Sequence, residues 1–293
     1  MTTLAIFVIL GLARAAELCW DEETSGSTGT ENYIVVTSPE DVTALGVANQ
    51  GAGEVKAAIA AALAGKPPGT KVRILLGKIT EGSSRWQFHY LRSIVLLDSE
   101  GRPDGVERLV LHQSLTSIES YRIIPWRNGV KDGVEKTFQS DPRNERAVIL
   151  REEVPWKDGK MDGWRRTYFT DGKVAAETLY VNGVANGPTR VYGPDGNLLR
   201  EGMMKNGKRD GVMTEYWESS KTPKRVVRYR DGSVDGPVTE YYQSGKIKRK
   251  VSIKNEAYHG EERLYNEDGK VVQTRYWIDG KVVTEEEFKK REK

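Results

Sequence analysis

From Trp126 to Phe288 polar and apolar residues alternate in short runs, each cut by an Asn-Gly or Asp-Gly pair. Val212, Thr214 and Tyr216 fall on one side of such a run, and Met213, Glu215 and Trp217 on the other, the two-residue period of a strand. The punctuation repeats as a phrase: Asn/Asp-Gly, two residues, Asp/Asn-Gly, four residues, an aromatic. The first glycines are Gly129, Gly159, Gly183, Gly207 and Gly232, with Glu256 in a sixth copy and Gly280 opening a truncated seventh. The second glycines are Gly133, Gly163, Gly187, Gly211, Gly236 and Gly260, and the aromatics Phe138, Tyr168, Tyr192, Tyr216, Tyr241 and Tyr265. The leading positions are spaced by 30, 24, 24, 25, 24 and 24 residues. A fixed period of this size marks an array whose units pack on their neighbours.

Asn-Gly and Asp-Gly accept positive φ at both centres of a type I′ turn, whose twist suits a hairpin. Each unit carries a softer second turn at Asp171-Gly172, Asp195-Gly196, Ser220-Lys221, Ser244-Gly245 or Asp268-Gly269. One unit is therefore one β-hairpin plus its link to the next. A large apolar group precedes each first glycine position by three residues: Trp126, Trp156, Tyr180, Met204, Tyr229, Ile253, Trp277. These groups and the phrase aromatics are expected to form the packing ladder between hairpins.

The phrase Gly-x4-Tyr/Phe-x3-Gly with its apolar-x-x-Asn/Asp-Gly return resembles MORN-type repeats, specifically the bacterial MORN-variant arrays. The resemblance implies a mainly β fold: tandem antiparallel hairpins in an elongated single-layer sheet, here with a small α/β N-terminal region. It implies a protein-binding or structural scaffold surface and no catalysis; some members of the group are labelled antitoxins, a second binding role. The chain departs from the pattern at Glu256, at the insertion 139–150 and at the turn 218–223.

Before the array, Leu4 to Leu12 is an apolar run followed by Ala13-Arg14-Ala15, the plan of a secretory signal peptide over 1–15. Cleavage near Ala15 would place the mature chain in the periplasm or outside the cell, with no transmembrane segment. Residues 16–32 read as a flexible linker, and 33–118 as a small α/β region: a strand at 33–36, an Ala-rich helix at 54–63 and a strand at 72–76. The Ala-rich helix with Pro-Gly-Thr-Lys-Val-Arg-Ile also resembles the opening of right-handed β-helix carbohydrate-active proteins, but no rungs follow. Ser93–Leu97 and Val106–His112 suggest a diverged leading hairpin. The array is assigned 119–288 in six to seven units of about 24 residues. Helical charge spacing runs over 285–293, where it would cover the last sheet edge, and 289–293 is a charged tail.

Composition narrows the chemistry. Lys and Arg number 45 against 42 Asp and Glu, so nucleic acid is not an expected partner. Charged residues make up 30% of the chain and phenylalanine numbers five, which suggests a thin sheet with little deep core. The lone Cys19 excludes an internal disulfide. Gly51-Ala52-Gly53 lacks the third glycine of a phosphate loop. His89, His112 and His259 are far apart, and no cofactor or metal is expected. His259 stands in an Asp/Asn turn slot, which its tolerance of unusual backbone would explain. The densest basic run, Lys246, Lys248, Arg249 and Lys250, is the candidate contact for an anion, with an envelope lipid or glycan as the rival partner. The protein partner itself is not identified by the sequence.

Overall fold

The computed structural model describes residues 34–39, 41, 52–80, 87–113, 118–141, 143–218 and 220–291. The segments expected to be a signal peptide and a linker, Cys19, Tyr33 and the Gly51 end of the glycine pair lie outside them. Strand pairing is antiparallel throughout and runs between neighbours in the chain, giving an open sheet rather than a barrel, as the hairpin repeats require. The chain divides into two compact units, ending and beginning at Lys160 and Met161.

In the first unit β1 (Ile34–Val36) pairs with β2 (Lys71–Thr80), and between them lies α1 (Ala52–Leu63). Both the helix and β2 are longer than the sequence pattern indicated. Val55 and Ile59, one helical turn apart, are 3% and 0% exposed and meet Val72 and Ile74, alternate residues of β2 that are also fully buried. Gly65, at φ 71, closes the helix in the left-handed conformation open to a residue without Cβ. This core extends to Val36, Leu91, Val110 and Tyr121. The core belongs mainly to the N-terminal α/β region, its apolar residues few but concentrated on one helix face and its strands.

Then follow β3 (Gln87–Leu97), β4 (Gly105–Gln113), β5 (Ile118–Arg127), β6 (Val130–Lys131), β7 (Gly133–Asp141) and β8 (Asn144–Lys157). The insertion 139–150 lengthens the β7–β8 hairpin, with Ser140 opposite Val148 and Asp141 opposite Asn144. Asp141 ties the new tip by accepting from the Arg143 backbone and guanidinium at 2.9 Å. β9 (Lys160–Met161) stands at the junction of the units.

The second unit holds β10 (Gly163–Tyr168), β11 (Val174–Val181), β12 (Val184–Tyr192), β13 (Leu198–Lys205), β14 (Lys208–Arg209), β15 (Gly211–Tyr216), β16 (Pro223–Arg230), β17 (Ser233–Tyr241), β18 (Ile247–Lys254), β19 (Ala257–Tyr265), β20 (Val271–Ile278) and β21 (Lys281–Val283). α2 (Glu285–Arg291) follows. Among the described residues no helix is long and apolar enough to cross a membrane, which leaves strands unaddressed.

The two Asx-Gly pairs of each phrase have different jobs. Asn182 and Gly183 both take positive φ (50 and 89), the two centres of a type I′ turn. In the second pair only the glycine does: Gly187 has φ 137, while Asn186 is not among the positive-φ residues. The expectation of a turn there is corrected. Tyr180 faces Ala185 but Thr178 faces Thr189, so Asn186-Gly187 is a two-residue bulge just past the turn. A Cβ on Gly187 would lie 2.7 Å from Leu179 Cδ2, a second reason for glycine.

The bulge aspartates reach the next hairpin. Asp162 accepts the Asn182 N–H at 3.1 Å and Asp210 the Asp231 N–H at 3.3 Å. The turn glycines complete the link, Gly183 donating to the Met161 carbonyl at 2.7 Å and Gly207 to Ala185 at 2.9 Å. In the first unit Gly129 donates to Pro103 at 2.8 Å and Asn128 to Asp104 at 3.4 Å, so Asp104-Gly105 acts as a bulge pair.

Candidate binding surface

Register repeats as faithfully as sequence. The bulge glycine always faces the large apolar residue: Gly105 with Trp126, Gly133 with Trp156, Gly163 with Tyr180, Gly187 with Met204, Gly211 with Tyr229, Gly236 with Ile253, Gly260 with Trp277. Two residues beyond the glycine lies the central file of one sheet face. In the second unit this file runs Met213–Val227–Val238–Val251, all at most 6% exposed, with Glu262 at 1%. Tyr229, Val234, Ile253, Tyr258 and Trp277 close over it from the same face.

The acidic members of this position are a feature that sequence reasoning missed. Glu107, Glu135 and Glu262 are 2%, 5% and 1% exposed. Each accepts the indole N–H of the tryptophan in its own hairpin, from Trp126 at 2.9 Å, Trp156 at 3.0 Å and Trp277 at 2.8 Å. Each also meets cations: Glu107 has Arg73 at 3.5 Å and the Ser93 hydroxyl, Glu135 has Lys131 at 2.7 Å, and Glu262 has Arg249 at 2.6 Å. Burial alone would raise the Glu262 pKa, but the Trp277 and Arg249 hydrogen bonds hold it below the usual carboxylate range. These carboxylates are saturated by donors, so their work is structural. The visible signal was Gly-x-Glu at three equivalent places, each matched by Trp in the slot before the next turn.

The opposite face of the second unit is the accessible one. On it lie apolar residues one past the bulge glycines and their cross-strand neighbours: Trp164 opposite Leu179, Pro188 opposite Met203, and Val212 opposite Arg228. Met203 and Val212 are 45% and 53% exposed. Beside them lies a ladder of alternating charge: Arg166 to Glu177 at 3.3 Å, Glu177 to Arg190 at 2.9 Å, Arg190 to Glu201 at 3.9 Å. Arg190 also stands over the Trp164 ring at 5.5 Å. Although burial raises the Glu177 pKa, hydrogen bonds from Arg190, Arg166 and Tyr192 together hold it below the usual carboxylate range. The first unit has a smaller set of this kind in Val106 and Val134, 65% and 45% exposed, with Pro125 and Pro155 as cross-strand neighbours.

The predicted site residues divide among these places. Gly129, Gly133, Gly159, Gly163, Gly207, Gly211, Gly232, Gly236 and Gly260 all take positive φ, as turn or bulge positions. The phrase aromatics close the strands at a register shift, opposite Leu150, Val174, Leu198, Pro223, Ile247 and Val271. Phe138 stacks on Tyr121 at 4.9 Å. Tyr192 and Tyr216 instead donate their hydroxyls to Glu177 at 3.1 Å and Glu201 at 2.7 Å, tying one hairpin to the one before. Burial and then the Glu201 carboxylate push the Tyr216 pKa up to about 12.

The basic run is not gathered into one site. Arg249 is held by Glu262, by Glu240 at 3.5 Å and over the Tyr258 ring at 5.2 Å. Lys250 points to the opposite face, between Thr239 and Arg263 in register. Lys248 lies over the Tyr242 ring at 5.7 Å, and Lys246 is exposed at the second turn. His259 does not take positive φ, which corrects the backbone explanation of it. Its Nδ1 lies 3.5 Å from Asp279, so an imidazole replaces the bulge carboxylate and meets the next turn's aspartate. Among the described residues no group of three or more His, Cys, Asp or Glu is placed to hold a metal.

Among solved structures, a chain of the Photorhabdus luminescens Tc holotoxin pore aligns with 71% of this chain and 12% of its own length, at 13% identity and a TM-score of 0.19. A likeness that slight carries no argument. No curated protein matches the chain. The sequence model described as MORN repeat variant matches residues 234–255 and 258–279, the two adjacent hairpins around β17 to β20.

Proposed function

We propose that the chain is an exported, non-enzymatic binding module whose accessible sheet face docks a protein partner. The observation that carries this is the apolar set Trp164, Leu179, Pro188, Met203 and Val212 on one face, half-buried at the first three and exposed at Met203 and Val212, with the Arg166–Glu177–Arg190–Glu201 ladder along its side. A fixed apolar stripe rimmed by fixed charges is the usual composition of a protein-docking patch. Repeats of the matched kind serve as binding or structural modules, and export rests on the apolar run before Ala13-Arg14-Ala15.

The test is capture of a partner by the full chain and by a Met203→Lys, Val212→Lys variant. The reading requires equal melting temperatures and loss of capture in the variant. Equal capture by both proteins would defeat it. The rival, an envelope lipid or glycan contact, draws on exposed Lys246 and on Lys248 over Tyr242. Anionic vesicles that sediment with the parent chain and not with Lys246→Ala, Lys248→Ala would favour that rival.

A further inference from the structure

Near the end of the array one strand is paired on one side only over part of its length. Earlier second strands of the hairpins are paired along both sides: β18, for example, pairs with β17 from Ile247 to Ile253 and with β19 from Arg249 to Lys254. β20 pairs with β19 from Val271 to Trp277, but on its other side β21 covers only Tyr276, Trp277 and Ile278. Among the described residues no strand pairs with Val271–Arg275 on that side. All five residues are exposed, Val271 and Val272 at 49% and 62%.

The sequence explains why the strand is left open. Twenty-four residues after Gly260, the bulge position is Thr284, not glycine. A threonine resists the positive φ that Gly236 and Gly260 take there (118 and 92). Thr284 instead caps a helix: its Oγ1 accepts the Glu287 N–H at 3.2 Å, and Glu287 Oε2 accepts the Thr284 N–H at 2.9 Å, a capping box. The segment that would have filled the edge, Glu285 to Lys289, is thereby coiled into α2, with Phe288 against Tyr276 at 5.3 Å. In register, Glu286 would have faced Arg275 and Phe288 would have faced Gln273, as Leu264 faces Arg249 one unit earlier.

We propose that the open edge of β20, Val271–Arg275, takes an extended peptide by backbone pairing, with an acidic side chain set against Arg275 and an apolar one two residues later against Gln273. Rows of free N–H and C=O groups are templates for a further strand. Arg275 is suited to recruit it: its guanidinium lies 3.6 Å from the buried Glu262 yet remains 42% exposed. This proposal rests on the protein-binding reading above and names the class of partner, at a place separate from the apolar stripe.

The probe is a fluorescein-labelled peptide copying Ala257–Tyr265, the chain's own edge-filling strand, titrated into the full chain and followed by anisotropy. Saturable binding is expected, weakened at least tenfold by N-methylation of the peptide at one set of alternate residues and not at the other. That asymmetry requires a paired backbone and needs no mutant to fold. Arg275→Glu should weaken the peptide and restore binding to a version with Lys at its two glutamates. No binding at 1 mM, or equal effects of both methylation sets, would overturn the edge proposal, while stripe-dependent capture would leave the protein-binding reading standing. A concentration-dependent dimer abolished by Thr274→Pro would assign the edge to a second copy and overturn the peptide as its occupant.

Discussion

The Glu262–Trp277 pair makes the sharpest test of how the hairpins hold together. Glu262 is 1% exposed and accepts from Trp277 Nε1 at 2.8 Å and Arg249 Nε at 2.6 Å, with Arg275 at 3.6 Å. Glu262→Ala deletes the acceptor and leaves an indole N–H and a guanidinium facing each other across a cavity. Stranding one side of a buried, hydrogen-bonded ion pair costs about 3–5 kcal/mol. Arg249 keeps Glu240 at 3.5 Å, so the loss belongs near the lower end, about 3 kcal/mol. The neighbouring hairpin fills the same two slots with Val238 and Ile253, both packed in the apolar cluster. Glu262→Val with Trp277→Ile transplants that pair and removes the stranded indole donor, so the double variant should lose only about 1–2 kcal/mol. Each single substitution should cost more than the two together, a coupling of about 3 kcal/mol. Urea unfolding by circular dichroism gives the free energies, and hydrogen exchange in β19 and β20 shows whether the loss is local, as it can be in a repeat array. A Glu262→Ala protein within about 1 kcal/mol of the parent, or strict additivity in the double variant, would refute the reasoning.

Gly202→Ala should destabilise by about 1–3 kcal/mol in the same urea titration, because the new Cβ would stand 1.8 Å from Met213 Sδ in the buried file; an unchanged midpoint would show that Met213 moves aside freely. Glu256→Gly should stabilise by about 1 kcal/mol, since Glu256 holds φ 63 without glycine's freedom and gives up only an exposed bond from Ser233; a lower melting temperature would contradict the strain. Glu262 and Glu177 titrate below their ordinary values in the folded chain, so their contribution is present above the unfolded carboxylate pKa and fades as pH falls through the folded one. Stability should therefore drop more steeply below about pH 4.5 in the parent than in Glu262→Gln, and parallel pH profiles would remove Glu262 from that account.

The hairpins were legible because their causes are local. A turn that needs φ near 50 and then near 90 selects Asn-Gly from four residues of chain, whatever lies beyond. The bulge was not legible, for the opposite reason. Asn186-Gly187 looks like a turn pair in isolation, and only the shift from Tyr180–Ala185 to Thr178–Thr189 reveals two extra residues against a continuous partner strand. The basic run shows the same limit. Lys248, Arg249 and Lys250 are adjacent in the chain, but strand alternation separates Arg249 from Lys250 and a buried glutamate claims the arginine. The thin sheet was legible from composition, but the place of its few buried side chains was not. Four aliphatic or thioether side chains, from Met213 to Val251, line up in one file only through cross-strand register.

The buried file also shows how a diverging repeat keeps its register. Its slot beyond the bulge glycine and the slot before the next turn are filled together: Glu107 with Trp126, Glu135 with Trp156, Glu262 with Trp277, but Val238 with Ile253 and Met213 with Tyr229. A glutamate in the first slot with an isoleucine in the second would bury a carboxylate without its indole donor, and a valine with a tryptophan would bury an N–H without its acceptor. Sliding the Glu262 hairpin by one unit along the array keeps Glu262 with Trp277 but takes the buried carboxylate away from Arg249 on the hairpin before it. Identical units would permit that slip at little cost, because every backbone turn and bulge would still fit. The alternation of acidic and apolar pairs therefore gives each hairpin its own neighbours, and a chain in which all the slots carried valine and isoleucine should fold into hairpins but populate more than one register.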